Sequence, residues 1–373
     1  MDLCRLFTFP NKYVLIQKIQ FSNLNNRKRM TEHSTKERPL SQEEIDKLQK
    51  ETKANYVKQH QTYPSDDRTW ERFTAMVGDL NYFHLTPEEF KGVHVLDAGC
   101  GNSGYFPLTM MKLGAGKVTC LDLGEDWIPF QKEAIQMRGG SLENIELVSG
   151  SVVSLPFPDE TFDVTCANGV LMHLITEDQI ESAFKELARV TKKGGYFYSV
   201  LGVPAGLMEE FFIPGIREFY HEGPKHKPEF KELIDNLSIE RVRDFLKGNN
   251  MVREMMGDMP LPVDMIINLI DIDYLTFLQN IITVPCRHIF KMNESWAESR
   301  YAENGFSDLK RCKRYIKRKN VRSLFSAPQY AAGMPDEFFD DLSSANPEAC
   351  KELQLFSSLF FGRGNLEYIA KKI

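Results

Sequence analysis

An α/β fold built on a doubly wound, mostly parallel sheet is predicted by three features of the 373-residue sequence. Short β-branched or apolar runs alternate with helical stretches between residues 93 and 201. A glycine-rich turn (Gly99, Gly101, Gly104) separates the first such run from the first helix of the series. The chain is 42% hydrophobic, with 26 Phe, 13 Tyr and 3 Trp, enough to bury a core without disulfide staples. Alternation at this spacing implies a sheet covered by helices on both faces.

The elements follow in order. Residues 1–29 carry six cations (Arg5, Lys12, Lys18, Arg27, Lys28, Arg29) against Asp2 alone, and Pro10-Asn-Lys12 interrupts the apolar stretch that a secretory signal needs. Residues 1–40 therefore read as a disordered leader, or as translation from upstream of a start at Met30; an organelle transit peptide is the alternative, although Ser is scarce. Residues 41–90 read as N-terminal helices. Ser41-Gln-Glu-Glu44 is a capping box opening a polar helix to about Gln61, and a second helix carries Trp70, Phe73 and Met76-Val77.

In the core, 91–202, strands are expected at 93–98, 117–122, 145–149, 162–167 and 196–201, with helices at 105–113, 126–138 and 177–190. Thr176 and Gln179 make a second capping box, and Ile180, Ala183, Phe184, Leu187 and Ala188 share one face. Lys192 and Lys193 suit the end of that helix, and Gly194-Gly195 a left-handed stop. Residues 203–292, rich in Phe, Met, Ile and Pro, read as a helical cap insertion. Residues 293–373 complete the sheet, with order at 296–304, a strand near 309–316, a second insertion at about 320–360 and a last strand at 365–370.

Net charge is −6, which gives no global attraction to nucleic acid or anionic lipid. Seven scattered Cys, without a C-x-x-C pair, fit reduced thiols in a cytoplasmic protein and argue against a zinc cluster; no metal site is expected. The longest apolar stretch, 263–284, contains Asp264, Asp271 and Asp273, which makes it a poor transmembrane span.

The chemistry starts at His94-Val-Leu-Asp-Ala-Gly-Cys-Gly-Asn-Ser-Gly104, a G-x-G-x-x-G placed after a strand and before a helix. Dinucleotide-binding folds share this signal, since glycine lets a ligand approach the backbone. Asp97 discriminates. A fixed carboxylate two residues before the first glycine opposes a pyrophosphate and suits a ligand bearing an ammonium group. S-adenosylmethionine carries an ammonium and a sulfonium and has no phosphate. Asp122 ends the next strand, where an acid can accept from both ribose hydroxyls. Each Asp alone also reads as a cap or turn residue.

At these residues the sequence resembles the Rossmann-like, class I S-adenosylmethionine-dependent methyltransferases, in particular the group containing the ubiquinone and menaquinone biosynthesis methyltransferases. The motifs that carry the resemblance are Val95-Leu-Asp-Ala-Gly-Cys-Gly101, Leu121-Asp122, and Leu155-Pro-Phe-Pro-Asp-Glu-Thr-Phe-Asp163 leading to Asn168-Gly-Val-Leu-Met-His-Leu174. The resemblance covers residues 90–202 and returns at Glu303-Asn-Gly-Phe306 and the last strand. It implies seven strands in the order 3-2-1-4-5-7-6, the last antiparallel. It also implies Asp97, Gly99 and Gly101 around the methionine part, Asp122 on the ribose, Leu123 against adenine, Ser151 and Val152 bordering adenine, and Asn168 near the sulfonium. Relatives often have an acid where this chain has Ser151, a weaker neutral partner. Trp127 reads either as an adenine-stacking ring or as core.

Methyl transfer is an in-line displacement for which a general base helps a hydroxyl or carbon acid and is optional for a neutral amine. His173, after the fourth strand, is the candidate base, with an orienting or capping role as the alternative. Tyr220, His221, His226 and His288 lie in or beside the insertion and are further acceptor-facing candidates. Phe211, Phe212, Phe219, Met251, Met255 and Met256 either line an acceptor pocket or pack the cap.

Lys310-Arg-Cys-Lys-Arg-Tyr-Ile-Lys-Arg-Lys319 holds seven cations in ten residues and reads as a solvated strand face, with RNA or an acidic surface as the alternative partner. Cys166-Ala-Asn-Gly169 resembles no Asn/Asp-Pro-Pro-aromatic motif of DNA methyltransferases, so no DNA partner is expected. The expected function is O- or N-methylation of a small molecule. The alternatives are an RNA- or protein-modifying enzyme docking through 310–319, and a cofactor-binding protein without turnover.

Overall fold

The computed structural model describes residues 40–60, 63–65, 78–201, 213–222, 228–248, 294–312 and 366–373, together with isolated positions between them. The expectations for 1–39, for Phe211, Phe212, His226, Met251, Met255, Met256 and His288, for most of 263–284 and for 313–365 lie outside these residues. The chain divides into two compact units, Met1–Lys47 and Leu48–Ile373. Helix α1 spans Gln42–His60 and opens on the expected box: Ser41 Oγ accepts from the Glu44 amide at 3.3 Å, and Glu44 Oε2 accepts from the Ser41 amide at 2.8 Å. The described positions from Asp67 to Val77 are helical, with Trp70 and Val77 buried; Phe73 and Met76 lie outside the described residues.

A short helix α2 (Pro87–Phe90) leads into the alternating core: β1 His94–Ala98, α3 Tyr105–Leu113, β2 Lys117–Asp122, α4 Ile128–Met137, β3 Ile145–Ser149, β4 Phe162–Asn168, α5 Glu177–Val190 and β5 Thr191–Leu201. Helices α6 (Ile213–Glu222), α7 (Pro228–Asp235) and α8 (Ile239–Gly248) follow, then α9 (Glu294–Glu303), β6 (Phe306–Arg311) and β7 (Leu366–Lys372). The sheet order is β3-β2-β1-β4-β5-β7-β6, as expected. Strands β1 to β5 are parallel, and β7 runs antiparallel to both β5 and β6.

Side chains alternate across each strand. Leu96, Ala98, Leu121 and Phe197 enter the core beneath α5 and α9, whereas Val95, Val118, Cys120 and Tyr198 enter the core that contains Phe106, Met110, Trp127 and Ile135. Because β1, β2 and β4 run the same way, their carboxyl ends (Ala98, Asp122, Asn168) share one edge of the sheet. Ligands of open α/β sheets lie beyond that edge.

Two strand starts depart from the sequence reading by three residues or more. Helix α5 stops at Val190 with Thr191 already extended, so β5 starts five residues before 196. Four residues, Lys192 to Gly195, bulge opposite Asp163 alone, since the register passes from Phe162↔Thr191 to Val164↔Tyr196. Gly194 (φ 75°) turns this bulge rather than ending the helix. Strand β6 begins at Phe306 rather than 309, with a register shift at Asp308, whose φ is 54°. The α5 cap is also a variant: Thr176 accepts from the Gln179 amide at 3.2 Å, but Gln179 Oε1 reaches back to the Ile175 amide at 2.9 Å.

Candidate functional site

The turn after β1 folds against the end of β2. Gly99 and Cys100 donate their amides to the Leu121 carbonyl at 2.6 and 3.1 Å. The Gly101 amide donates to Asp122 Oδ2 at 2.8 Å, and the Leu123 amide donates to Asp122 Oδ1 at 2.7 Å. Left-handed backbone at Gly99 (φ 80°) is needed for this approach, and a Cβ there would come within 2.1 Å of Val170 Cγ2 in the loop after β4. Asp97, Gly99, Gly101 and Asp122 are thus brought together.

Asp97 is buried, and its strand register sets it between Cys120 on β2 and Cys166 on β4. Two buried thiols do little to solvate a carboxylate. Burial, with a smaller contribution from the Asp122 charge, pushes its pKa up to about 8. Oδ2 of Asp97 has no hydrogen-bond partner among the described residues. At Asp122, burial likewise raises the pKa, but the Gly101 and Leu123 amides and the Lys53 charge oppose it. Burial also raises the pKa of Cys100, Cys120 and Cys166, keeping all three as inert thiols.

The Gly150 amide donates to the Asp122 carbonyl at 2.9 Å, which sets the Ser151–Val152 loop beside the acid. Ser151 Oγ accepts from the Val153 amide at 3.4 Å, while Val152 is buried in the core. Arg189 fastens the rest of this loop by donating to the Leu155 and Phe157 carbonyls at 3.0 and 2.7 Å. Leu123 is half-buried. Trp127 belongs to the core: it is 1% exposed and donates Nε1–H to the Gly124 carbonyl at 2.8 Å. Asn168 Nδ2 donates to the Tyr105 hydroxyl at 2.8 Å, bridging β4 to the start of α3.

His173 sits in the turn Leu171–His173 after β4, half-buried. Its Nε2 lies 2.7 Å from the hydroxyl of Tyr56 on α1, with ring centroids 4.6 Å apart. The sequence reading missed Tyr56, Tyr105 and Asn102, whose buried side-chain amide donates to the Val57 carbonyl at 3.2 Å. Tertiary contacts of this kind leave no local pattern; one aromatic in an otherwise polar helix is the sole hint at Tyr56.

Tyr220 and His221 are engaged by residues of the same 203–292 segment. The Tyr220 hydroxyl donates to Asp235 and accepts from Lys231 at 2.7 Å, and His221 Nε2 lies 3.0 Å from the Ile282 carbonyl. Among the described residues no group of three or more His, Cys, Asp or Glu is arranged to hold a metal ion, and no helix is long and apolar enough to cross a membrane.

The arrangement tests well against a phosphate-free cationic nucleoside. A buried acceptor without a partner needs a donor, best a charged one, and a pyrophosphate at this turn would face two carboxylates instead.

Comparison with known proteins agrees with this geometry. A family model described as a methyltransferase domain matches residues 96–199. The demethylmenaquinone methyltransferase of Listeria welshimeri is 26% identical over 151 residues, which are 39% of this chain and 62% of that protein. That of Geobacillus stearothermophilus is 36% identical over 107 residues, 28% of this chain and 43% of that protein. The chain therefore spans less than two thirds of the length of either relative. Among solved structures, a protein from Pyrococcus horikoshii OT3 is 25% identical with a TM-score of 0.34, covering 42% of this chain and 68% of its own. The strand order and the paired acids at a glycine turn accord with the match of residues 96–199 to a methyltransferase domain, a class I, Rossmann-like family whose cofactor is S-adenosylmethionine.

Proposed function

We propose that this chain transfers the methyl group of S-adenosylmethionine to a small-molecule acceptor. The observation that carries the reading is Asp97: a buried carboxylate oxygen without a partner among the described residues, at the carboxyl edge of the sheet, beside a turn that only glycine can make. In this reading Asp97 receives the ammonium of the methionine part, with Gly99 and Gly101 giving backbone access. Asp122 receives the ribose hydroxyls, Leu123, Ser151 and Val152 border the adenine, and Asn168 borders the sulfonium end. The cofactor supplies an electrophilic methyl group and its leaving group. The chain aligns the acceptor, excludes water and, for an acceptor that must lose a proton, holds a base. His173 fills that role, its ring fixed by the Tyr56 hydroxyl.

A small acceptor is favoured over RNA. Of the basic segment 310–319, the described cations are already paired, Lys310 with Asp308 at 2.6 Å and Arg311 with Glu294 at 3.3 Å. The two relatives named above are methyltransferases of demethylmenaquinone, so a quinone of that type is the first acceptor to try. Residues 203–292 would act as the substrate cap over the 91–202 core.

The test is incubation of the protein with methyl-labelled cofactor and either a demethylmenaquinone or a metabolite extract. Label is expected in a small organic product and to vanish with Asp97→Asn. Label found only in RNA or protein, or cofactor bound without any labelled product, would replace the reading with one of its alternatives.

A further inference from the structure

One turn of helix α1 touches each of the three loops that follow β1, β2 and β4. Lys53 forms an ion pair with Asp126 in the loop after β2, and its Nζ stands 2.7 Å from where a Cβ on Gly124 would lie. The Tyr56 hydroxyl meets His173 in the turn after β4 at 2.7 Å. The Val57 carbonyl accepts from Asn102, in the turn after β1, at 3.2 Å. Positions 53, 56 and 57 lie on one helical face. This face therefore stands over the edge where the proposed function puts the cofactor. Among the described residues, Asp97 Oδ2 and Asn102 Oδ1, at and just after the end of β1, are buried acceptors without partners.

Of residues 48–57 only Thr52 is buried, and the ties to the three loops are two hydrogen bonds and an ion pair. Elements fastened by a few polar contacts open at far lower cost than elements fastened by buried area. Each tie here, a hydrogen bond or a half-exposed ion pair, is worth about a fivefold change in an equilibrium.

We propose that residues 48–60 of α1 are a releasable cover for the cofactor site, opening to admit the cofactor and closing to hold His173 through Tyr56. The inference rests on the reading of the site given under Proposed function. Closure links two events. With the helix down, Lys53 adds positive charge near Asp122, Asn102 is fixed, and the His173 ring is oriented. With it up, the three loops lose a common support, and the cradle is open to solvent. Tyr56 is a positioning residue in this scheme: it acts on the acceptor through His173.

The experiment uses the full chain and S-adenosylhomocysteine as probe, with association and dissociation followed by stopped-flow tryptophan fluorescence. Hydrogen exchange of residues 48–60 is recorded with and without the probe. Tyr56→Phe keeps the ring and removes the hydroxyl. A gate weakened in this way should raise both rate constants by about fivefold, while Kd changes less than either. A static contact would alter dissociation alone. Amide exchange in 48–60 of the wild type should slow when the probe binds. Unchanged rates in Tyr56→Phe, a change confined to dissociation, or exchange indifferent to the probe overturns the cover. Failure of the wild type to bind the probe at all instead removes the underlying cofactor reading, so the two failures are distinguishable.

Discussion

Asp97, next to last in β1, and Asp122, last in the neighbouring β2, are treated oppositely by the backbone. Asp122 accepts from the Gly101 and Leu123 amides, whereas Asp97 Oδ2 accepts from nothing among the described residues. One acid is satisfied by the fold; the other is kept in need of a donor. A buried group in that state is costly to the fold, and the proposed function gives it the donor it lacks.

That cost has a pH signature. The Asp97 pKa is pushed up to about 8 in the folded chain, against about 4 in an unfolded one. Between these values the folded chain keeps a proton that the unfolded chain has released. The contribution to stability is therefore full below about pH 4 and is lost as pH rises through about 8, by up to about 1.4 kcal/mol per unit. Asp97→Asn should flatten this slope and stabilise the ligand-free protein near pH 8 by about 1–3 kcal/mol. Denaturant melts of both proteins at several pH values check it. The same variant should lose cofactor affinity, and titration in buffers of different ionisation enthalpy should show less proton release on binding than the wild type.

Asp122→Ala removes two charge-assisted hydrogen bonds that the proposed function assigns to the ribose, each worth about 1.5–3 kcal/mol. Cofactor affinity by isothermal titration should fall by at least tenfold. The freed Gly101 and Leu123 amides should lower stability as well, so a melt accompanies the titration.

Gly99→Ala should destabilise on two separable grounds. Left-handed backbone costs an alanine about 1–2 kcal/mol. Overlap with Val170 Cγ2, 2.1 Å from the new Cβ, adds about 1–3 kcal/mol of overpacking. Pairing the change with Val170→Ala should recover the second part alone, a partition readable by denaturant unfolding.

Arg189 ties the loop beside Ser151 and Val152 to α5, through the Leu155 and Phe157 carbonyls, Asp159 and Glu186. Its guanidinium is held charged by the Glu186 and Asp159 carboxylates. Arg189→Ala leaves these acceptors and the Glu186 charge without their donor and should cost about 2–3 kcal/mol, given its partial exposure. Amide exchange at residues 151–160 should rise together with cofactor Kd.

Much of this arrangement was legible in the sequence, for physical reasons. Buried parallel strands read as short apolar runs closed by Gly or Asp, so 117–122 and 145–149 were placed to the residue. Helices 105–113 and 177–190 were equally clear, one bounded by Gly104 and Gly114 and the other by Thr176. Asp97 and Asp122 stood out because an acid closing a buried strand has no packing purpose. The Lys192–Gly195 bulge misled, since two lysines and two glycines read as a helix stop whether or not the strand continues around them. Trp127 is ambiguous in sequence, because a core indole and a stacking one differ only in what surrounds them; here the indole donates to the Gly124 carbonyl from within the core. Lys53, Tyr56 and Asn102 were invisible, because their partners lie 73, 117 and 45 residues away.

The most direct test of the central claim is a crystal structure of the full chain grown with S-adenosylmethionine, with NADH in a parallel crystallisation. The account predicts the ammonium of the methionine moiety on Asp97 and the ribose on Asp122, and an empty cradle in the NADH crystals. Density for S-adenosylmethionine away from both acids, or for NADH between them, would contradict it.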